Sequence, residues 1–437
     1  MTVATPSAPA GRAAGDLARR VVQMQDLADT AFRDRDGLLV CIHRELRPLA
    51  AADFDGHAYN RPPYAGMGDA RLWWTYEMTN VLLGQYLVAQ AQRARAGDAG
   101  GLAAGRAMLG LLLSIYFDRS RALEPGHLGK PIVPPGGLAS YGHAPEVNHD
   151  QLHPIWEGLA DFHAFATPDE QRRIEQVIVE MADHHRRRQY RMATRGTLGL
   201  GPGHSVHGNI PMLALLLAHR FAPGAGFYDE YLRWFDMSRA DPRVNATCLT
   251  NLHYLCATGQ ARGDQELYYQ GTMNMYVDVI ARLAALDPGR RDLFRTRLAE
   301  WWDEQAPLLR DDGRVTWSMM TTLATRRWRP MRPGEVERGP YSCWWGAAVL
   351  FSGQWFATIP VAVAAWWPQR RAELRAVLLR VLTQTGPDAL QWCWPAEGTR
   401  DELPANIRVA PDVLLPPVWW LRAYWEARAT GLLTPDD

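Results

Sequence analysis

The stretch HAPEVNHDQLHPIWEG, residues 143–158, gathers His143, Glu146, His149, Asp150 and His153 ahead of Trp156, with Glu157 just beyond. Imidazole and carboxylate groups side by side are the equipment of general acid–base chemistry, in which one group protonates a leaving oxygen and another activates water. A residue before proline is pushed out of the α region, so His153 is expected to be extended and a helix to begin at Pro154. Glu146, His149 and Asp150 then lie in the loop feeding that helix, whose N-terminus favours anions. Asp150 is the first candidate for the acid/base and Glu146 a second carboxylate. His149 or His153 would tune it or hold substrate, and Trp156 joins the substrate-binding set. The alternative is plain capping, with Asn148 or Asp150 closing the helix start.

Three further stretches carry reactive groups. GPGHSVHGNIPM, residues 201–212, sets His204 and His207 ahead of a second helix, with Asn209 and Pro211 placed as cap and early helix proline. His207 would serve as base or as donor to a hydroxyl, with His204 and Asn209 binding substrate. ARLWWTYEMTN, residues 70–80, puts Trp73, Glu77 and Asn80 on one helical face beside Trp74 and Tyr76. Glu77 desolvated by tryptophans suits an acid, and Trp73, Trp74 and Tyr76 would line a site. RRWRPMRPGEVERGPYSCWWG, residues 326–346, is arginine-rich; Arg338 would grip a carboxylate and Trp345 would stack on a ring. Each also has a structural reading, as core face, loop packing or solvated ion pairs.

Other chemistries are weakly served. No nucleophile elbow, P-loop or dinucleotide fingerprint is present, and the histidines show no metal-ligand spacing, so no cofactor and no metal are expected. Lys130 is the only lysine, so amine catalysis would rest on it alone. The 47 basic and 47 acidic side chains cancel, which argues against nucleic-acid or anionic-membrane partners. Five cysteines without a C-x-x-C pair fit reduced, buried thiols and a cytoplasmic protein. Residues 1–14, rich in Ala and Pro without an apolar core segment, read as a disordered tail.

The elements that must position these groups are helical. Apolar residues recur at about 3.6 residues over most of the chain, which predicts some thirteen helices: 15–33, 69–95, 101–117, 154–166, 168–192, 210–221, 226–238, 243–257, 264–285, 289–308, 340–357, 369–384 and 412–429. Gly/Pro/Asp breaks separate them, and RDRDGLLV and RDDGRVTW read as small Asp-Gly hairpins. Residues 343–367 carry no charge over a membrane-spanning length, but Ser352, Gln354, Thr358 and Pro360 favour a buried helical hairpin. Gly/Pro/Arg/His-rich segments 118–153, 309–339 and 386–411 suggest elaborated loops on one face. Five tryptophan pairs, 73–74, 301–302, 344–345, 366–367 and 419–420, call for helices buried over a wide arc, as the inner helix of a double ring is.

Consecutive helical hairpins, aromatic inner faces and long loops at one end resemble the six-hairpin, or (α/α)6-toroid, glycosidase superfamily, with PYAGMGDARLWWTYEMTNVLLGQYLVAQ, residues 63–90, as the nearest local likeness. The resemblance covers roughly residues 15–430 and implies one all-α toroid domain, with 431–437 as a C-terminal tail. It implies a glycoside hydrolase acting on an oligosaccharide or small molecule, uronic-acid-containing ones included, with Asp150, Glu77, His207 and Glu146 catalytic. The open alternatives are a polysaccharide lyase with a His/Tyr pair (His207, Tyr76 or Tyr141), a terpene cyclase or isomerase in an aromatic toroid, and a non-catalytic scaffold. Substrate, stereochemistry and oligomeric state stay open.

Overall fold

A computed structural model describes residues 10–55, 70–76, 78–122, 124–129, 131–132, 142–143, 149–188, 191–192, 204–205, 209–240, 267–268, 274–316, 318–320, 328–330, 348–395 and 412–437. These residues are mostly helical, as the periodicity requires. The helices are α1 (Ala10–Asp29), α2 (Ala70–Tyr76), α3 (Thr79–Arg95), α4 (Ala99–Ile115), α5 (His149–Phe162), α6 (Pro168–Arg187) and α7 (Asn209–Phe221). They continue with α8 (Phe227–Ala240), α9 (Asn274–Leu286), α10 (Arg291–Gln305), α11 (Gln354–Ala364), α12 (Arg371–Gln384) and α13 (Val418–Ala429).

The odd-numbered helices from α3 onward pack in a closed cycle. α3 lies against α5, α5 against α7, α7 against α9, α9 against α11, α11 against α13, and α13 returns to α3. Each even-numbered helix packs on the odd one before it: α4 on α3, α8 on α7, α10 on α9 and α12 on α11. α6 packs on α5 and α7, and α1 covers α13 and α12. Composition explains the division. α3 (TNVLLGQYLVAQAQRAR) is apolar nearly all round and is buried from Thr79 to Gln92. α6 (PDEQRRIEQVIVEMADHHRR) has a single apolar stripe, Ile174, Val177, Ile178 and Met181, with charge elsewhere.

The connections differ sharply in length. Odd-to-even turns are short: 96–98, 163–167, 222–226, 287–290 and 365–370. Asp98 caps α4 by accepting from the Gly100 amide at 2.8 Å, after Gly97 at φ 89° turns the chain. Thr167 and Glu170 form a capping box with Pro168 at the first turn of α6. The connections leading into α5, α7, α9, α11 and α13 are long and, together with the long α1-to-α2 connection that carries Ile42–His43, hold every described strand. Several strands tie neighbouring connections together. β1 (Ile42–His43), ahead of α3, pairs antiparallel with β12 (Val413–Leu414), ahead of α13. β10 (Ala348–Phe351) joins β7 (Val315–Thr316) to β11 (Cys393–Pro395), linking the approaches to α11 and α13.

Some expectations shift. The 69–95 helix divides into α2 and α3 at residues 77–78. Uncharged residues 343–367 form no hairpin of helices; Ala348–Phe351 is strand, and α11 has 11 residues, too short to cross a bilayer. Ala99–Ser120, α4 with its π-turn, is the one described helical stretch long and apolar enough to cross a membrane, and 44% of that window is buried. Both Asp-Gly hairpins form: bridges Arg33–Leu39 and Leu309–Val315 flank Gly37 and Gly313, each at positive φ. The tryptophan pairs divide. Trp419 and Trp420 are buried on α13, but Trp301 and Trp302 are equally buried on even-numbered α10, and Trp366–Trp367 lie in a turn under Arg291 and Arg295. Trp302 packs on Phe356 of α11 and donates to Glu373 of α12, so an even-numbered helix also buries two adjacent aromatics. Nor are the last residues a free tail: Leu432 and Leu433 are buried and Asp437 pairs with Arg375.

α3 and α5 approach closely because Gly84 and Gly158 face each other's backbones. A Cβ on Gly84 would stand 2.3 Å from the Pro154 carbonyl carbon, and one on Gly158 would stand 2.8 Å from the Gly84 oxygen. Neither helix backbone can yield locally. Gly84→Ala is therefore expected to destabilise the protein by about 2 kcal/mol or more despite the better helix propensity of alanine. Chemical denaturation measures this, and an unchanged midpoint would refute the close packing.

Candidate functional site

Proline 154 does not start its helix. α5 begins at His149 and carries Pro154 inside, so His149 and Asp150 sit in its first turn and His153 is helical. The expected loop is replaced by another turn of helix even though Pro154, the sixth residue of α5, lacks the amide that would bond four residues back; the packing of the Pro154–Ile155 backbone on Gly84 offsets that loss. By helical spacing Asp150, His153, Glu157 and Asp161 fall on one stripe of α5.

The lower part of that stripe meets a buried ionic cluster. Arg422, on α13 and 1% exposed, donates to Glu157 Oε2 at 2.8 Å and to Gln85 Oε1 at 2.7 Å, and stands 3.0 Å from Asp278. Those partners lie on α5, α3 and α9, so one guanidinium joins helices that are not all neighbours in the cycle. Further along, Arg282 of α9 grips Asp161 through both terminal nitrogens at 2.8 Å, and Gln92 of α3 donates to the same carboxylate at 3.1 Å. Contacts advance together along α3, α5 and α9, so these helices run parallel.

Burial and charge pull these carboxyls apart. Burial raises Asp161, but Arg282, with Arg95 and Arg422 behind it, outweighs that and holds it at about 2. Asp278 shifts the other way: burial and the neighbouring Glu157 charge raise it against the attraction of Arg422. Glu157 Oε1 and Gln85 Nε2 are buried without a hydrogen-bond partner.

The remaining predicted residues scatter. Trp156 points off the axial stripe to α6, edge-on to His185 at 5.7 Å, and so packs between layers instead of lining a site with Glu157. One residue's step of about 100° separates the two. Trp74 is buried edge-on against Trp392 at 5.1 Å. The Tyr76 hydroxyl donates to Asp34 at 3.1 Å, and burial beside that charge raises its pKa, which makes it a poor base. His153 is fully buried. Trp73 lies in α2, and His204 lies in β5 (His204–Ser205), paired with β4 (Arg191–Met192). Asn209 is the first residue of α7, within a residue of the expected cap. Glu77, Glu146, His207, Arg338 and Trp345 lie outside the described residues, as does Tyr141. Among the described residues no group of three metal-ligating side chains occurs. Cys41 is a buried cysteine.

Sequence reasoning passed over Gln85, Asp161, Asp278, Arg282 and Arg422. A signal existed: Glu157/Asp161, Asp278/Arg282 and Arg422/Glu426 are i,i+4 charged pairs on otherwise apolar helices. No family model matches the chain, and no curated protein matches it in sequence.

Two outcomes follow. Arg422→Leu leaves Glu157 and Asp278 buried without their cation and is expected to cost about 3–5 kcal/mol in urea unfolding; adding Glu157→Leu and Asp278→Leu should recover most of it. A triple variant no more stable than the single one would count against charge as the cause. The second concerns His185, buried beside His184 and Trp156, where burial holds its imidazole at about 3. The unfolded imidazole titrates near about 6.5, so the unfolded chain binds more protons between those values and stability falls as pH falls. At about pH 5 the loss is about 2 kcal/mol. His185→Phe should flatten the melting temperature against pH there, and an unchanged slope would place the titration elsewhere.

Proposed function

We propose that the chain is an (α/α)6 toroid and a carbohydrate-active enzyme, a glycoside hydrolase working at the mouth of the ring. The observation that carries this is the asymmetry of the connections. From α3 onward short turns follow the odd-numbered helices, and long, strand-laced segments precede α5, α7, α9, α11 and α13. If these helices form the inner ring and run parallel, as the register of α3, α5 and α9 supports, the long segments collect at one mouth. His149 and Asp150 in the first turn of α5, and His204 and Asn209 at the entry to α7, belong to that end of adjacent helices. The cluster around Arg422 closes the axis below, so a cleft there is a blind one, suited to a chain end.

In this reading Asp150 protonates the leaving oxygen or activates water, with Glu77 or Glu146 as the second carboxylate. Their separation would set inversion or retention. His207, His149 and His153, with Trp73 and Trp345, would hold the sugar, and Arg338 a carboxylate where the substrate has one. No cofactor is required. The lyase alternative loses one of its bases, since Tyr76 is committed to Asp34.

The test is release of reducing ends from a panel of neutral and uronate-containing oligosaccharides. Asp150→Asn should lower turnover by about 10²–10⁴-fold with the fold unchanged by circular dichroism. Turnover untouched in that variant would remove Asp150. Growth of an unsaturated-uronyl ultraviolet band would replace hydrolysis with elimination. Conversion of a prenyl diphosphate with no sugar cleaved would replace the whole reading.

A further inference from the structure

Two neighbouring helices of the cycle carry buried polar groups with nothing to bond. On α11, both amide atoms of Gln354, the Thr358 hydroxyl and the Trp355 indole N–H lack partners; on α13, so does the Trp419 N–H. Gln354 is fully buried, and Thr358, Trp355 and Trp419 are 1%, 4% and 1% exposed. The tryptophans stack at 4.4 Å, fixing these groups to one seam. The seam faces inward. Phe356 turns its ring to Trp302 of α10, so Gln354 and Thr358, each about 200° round the helix from it, lie on the opposite face. Trp420 donates to the Leu382 carbonyl on α12, leaving Trp419 turned away from that layer.

A buried amide or hydroxyl without a partner costs about 1–3 kcal/mol, and cores satisfy nearly all of them. Five such atoms on one seam, in the first two turns of α11 and the first turn of α13, lie toward the same mouth as Asp150. They offer three N–H donors, a carbonyl acceptor and a hydroxyl, with no charge among them. The buried guanidinium of α13, Arg422, is already engaged by Glu157, Asp278 and Glu426.

We propose that Gln354, Thr358, Trp355 and Trp419 form a subsite for an uncharged sugar ring, read through its hydroxyls. This rests on the hydrolase reading and narrows it: the unit held here is a neutral pyranose or furanose, not a uronate, because no free cation stands on the seam among the described residues. An apolar terpenoid would leave the same five atoms unbonded, so it is a poor occupant.

Calorimetry with methyl glycosides of neutral hexoses and pentoses, against glucuronate, tests the subsite directly on the whole chain. A neutral glycoside should bind, with glucuronate about tenfold weaker or more, and Gln354→Leu or the isosteric Thr358→Val should weaken binding about tenfold. Thr358→Val decides the matter if Gln354→Leu does not fold. Tighter binding of glucuronate, binding of no glycoside, or variants that bind as wild type and melt higher would each overturn the subsite; the last would mean that trapped water serves these atoms. Cleavage of neutral oligosaccharides by Gln354→Leu at unchanged KM overturns the subsite and leaves the hydrolase reading standing. Gln354-dependent binding with no cleavage does the reverse.

Discussion

The guanidinium of Arg422 is the point on which the helical assembly turns. It is buried on α13 and holds α3, α5 and α9 through Gln85, Glu157 and Asp278. Charges so far from water are costly alone and tolerable only together, so the cluster ties helices distant in sequence into one arrangement and penalises any that leaves a member unpaired. Arg282 and Asp161 repeat the device further along. Apolar packing supplies most of the stabilisation; the ionic axis supplies register, because a shift of one helical residue would turn Glu157 away from Arg422 and bring an apolar neighbour in its place.

Close packing and charge reinforce each other. Gly84 and Gly158 let α3 and α5 touch backbone to backbone, at the level where Gln85 and Glu157 meet Arg422. α1 is tied to the same helix from outside, where Tyr86 donates to Asp29 and Gln25 to Tyr86. β1 and β12 then join the approaches to α3 and α13. The chain thus closes on itself by three different interactions.

The contrast between the charged axis and the uncharged seam of α11 and α13 separates structure from recognition. In the first, nearly every buried charge has a partner of opposite sign. In the second, buried amide, hydroxyl and indole groups have none. Such groups cost stability where they stay unbonded, which is the ground for the proposed sugar subsite.

Much of the helical content was legible in the chain, because a 3.6-residue apolar period is a local property and caps such as Asp98 and Thr167 are local chemistry. The Asp-Gly turns were legible for the same reason. The start of α5 was not, since the local preference of His153 before Pro154 is small beside the packing of Pro154 and Ile155 on Gly84. Nor was the site: types and spacing flagged Trp156 and Tyr76, but a 100° step sent Trp156 to α6 and a distant Asp34 claimed Tyr76. What the sequence alone determined is the predominance of helix and most of the helical spans, though not 264–285 or 340–357, where Leu267–Tyr268 and Ala348–Phe351 are strand. Which lone charges meet at the axis, Arg422 with Glu157 across 265 positions of chain, only the tertiary structure decided, because pairing across such separations depends on where the helices pack and leaves no periodic trace.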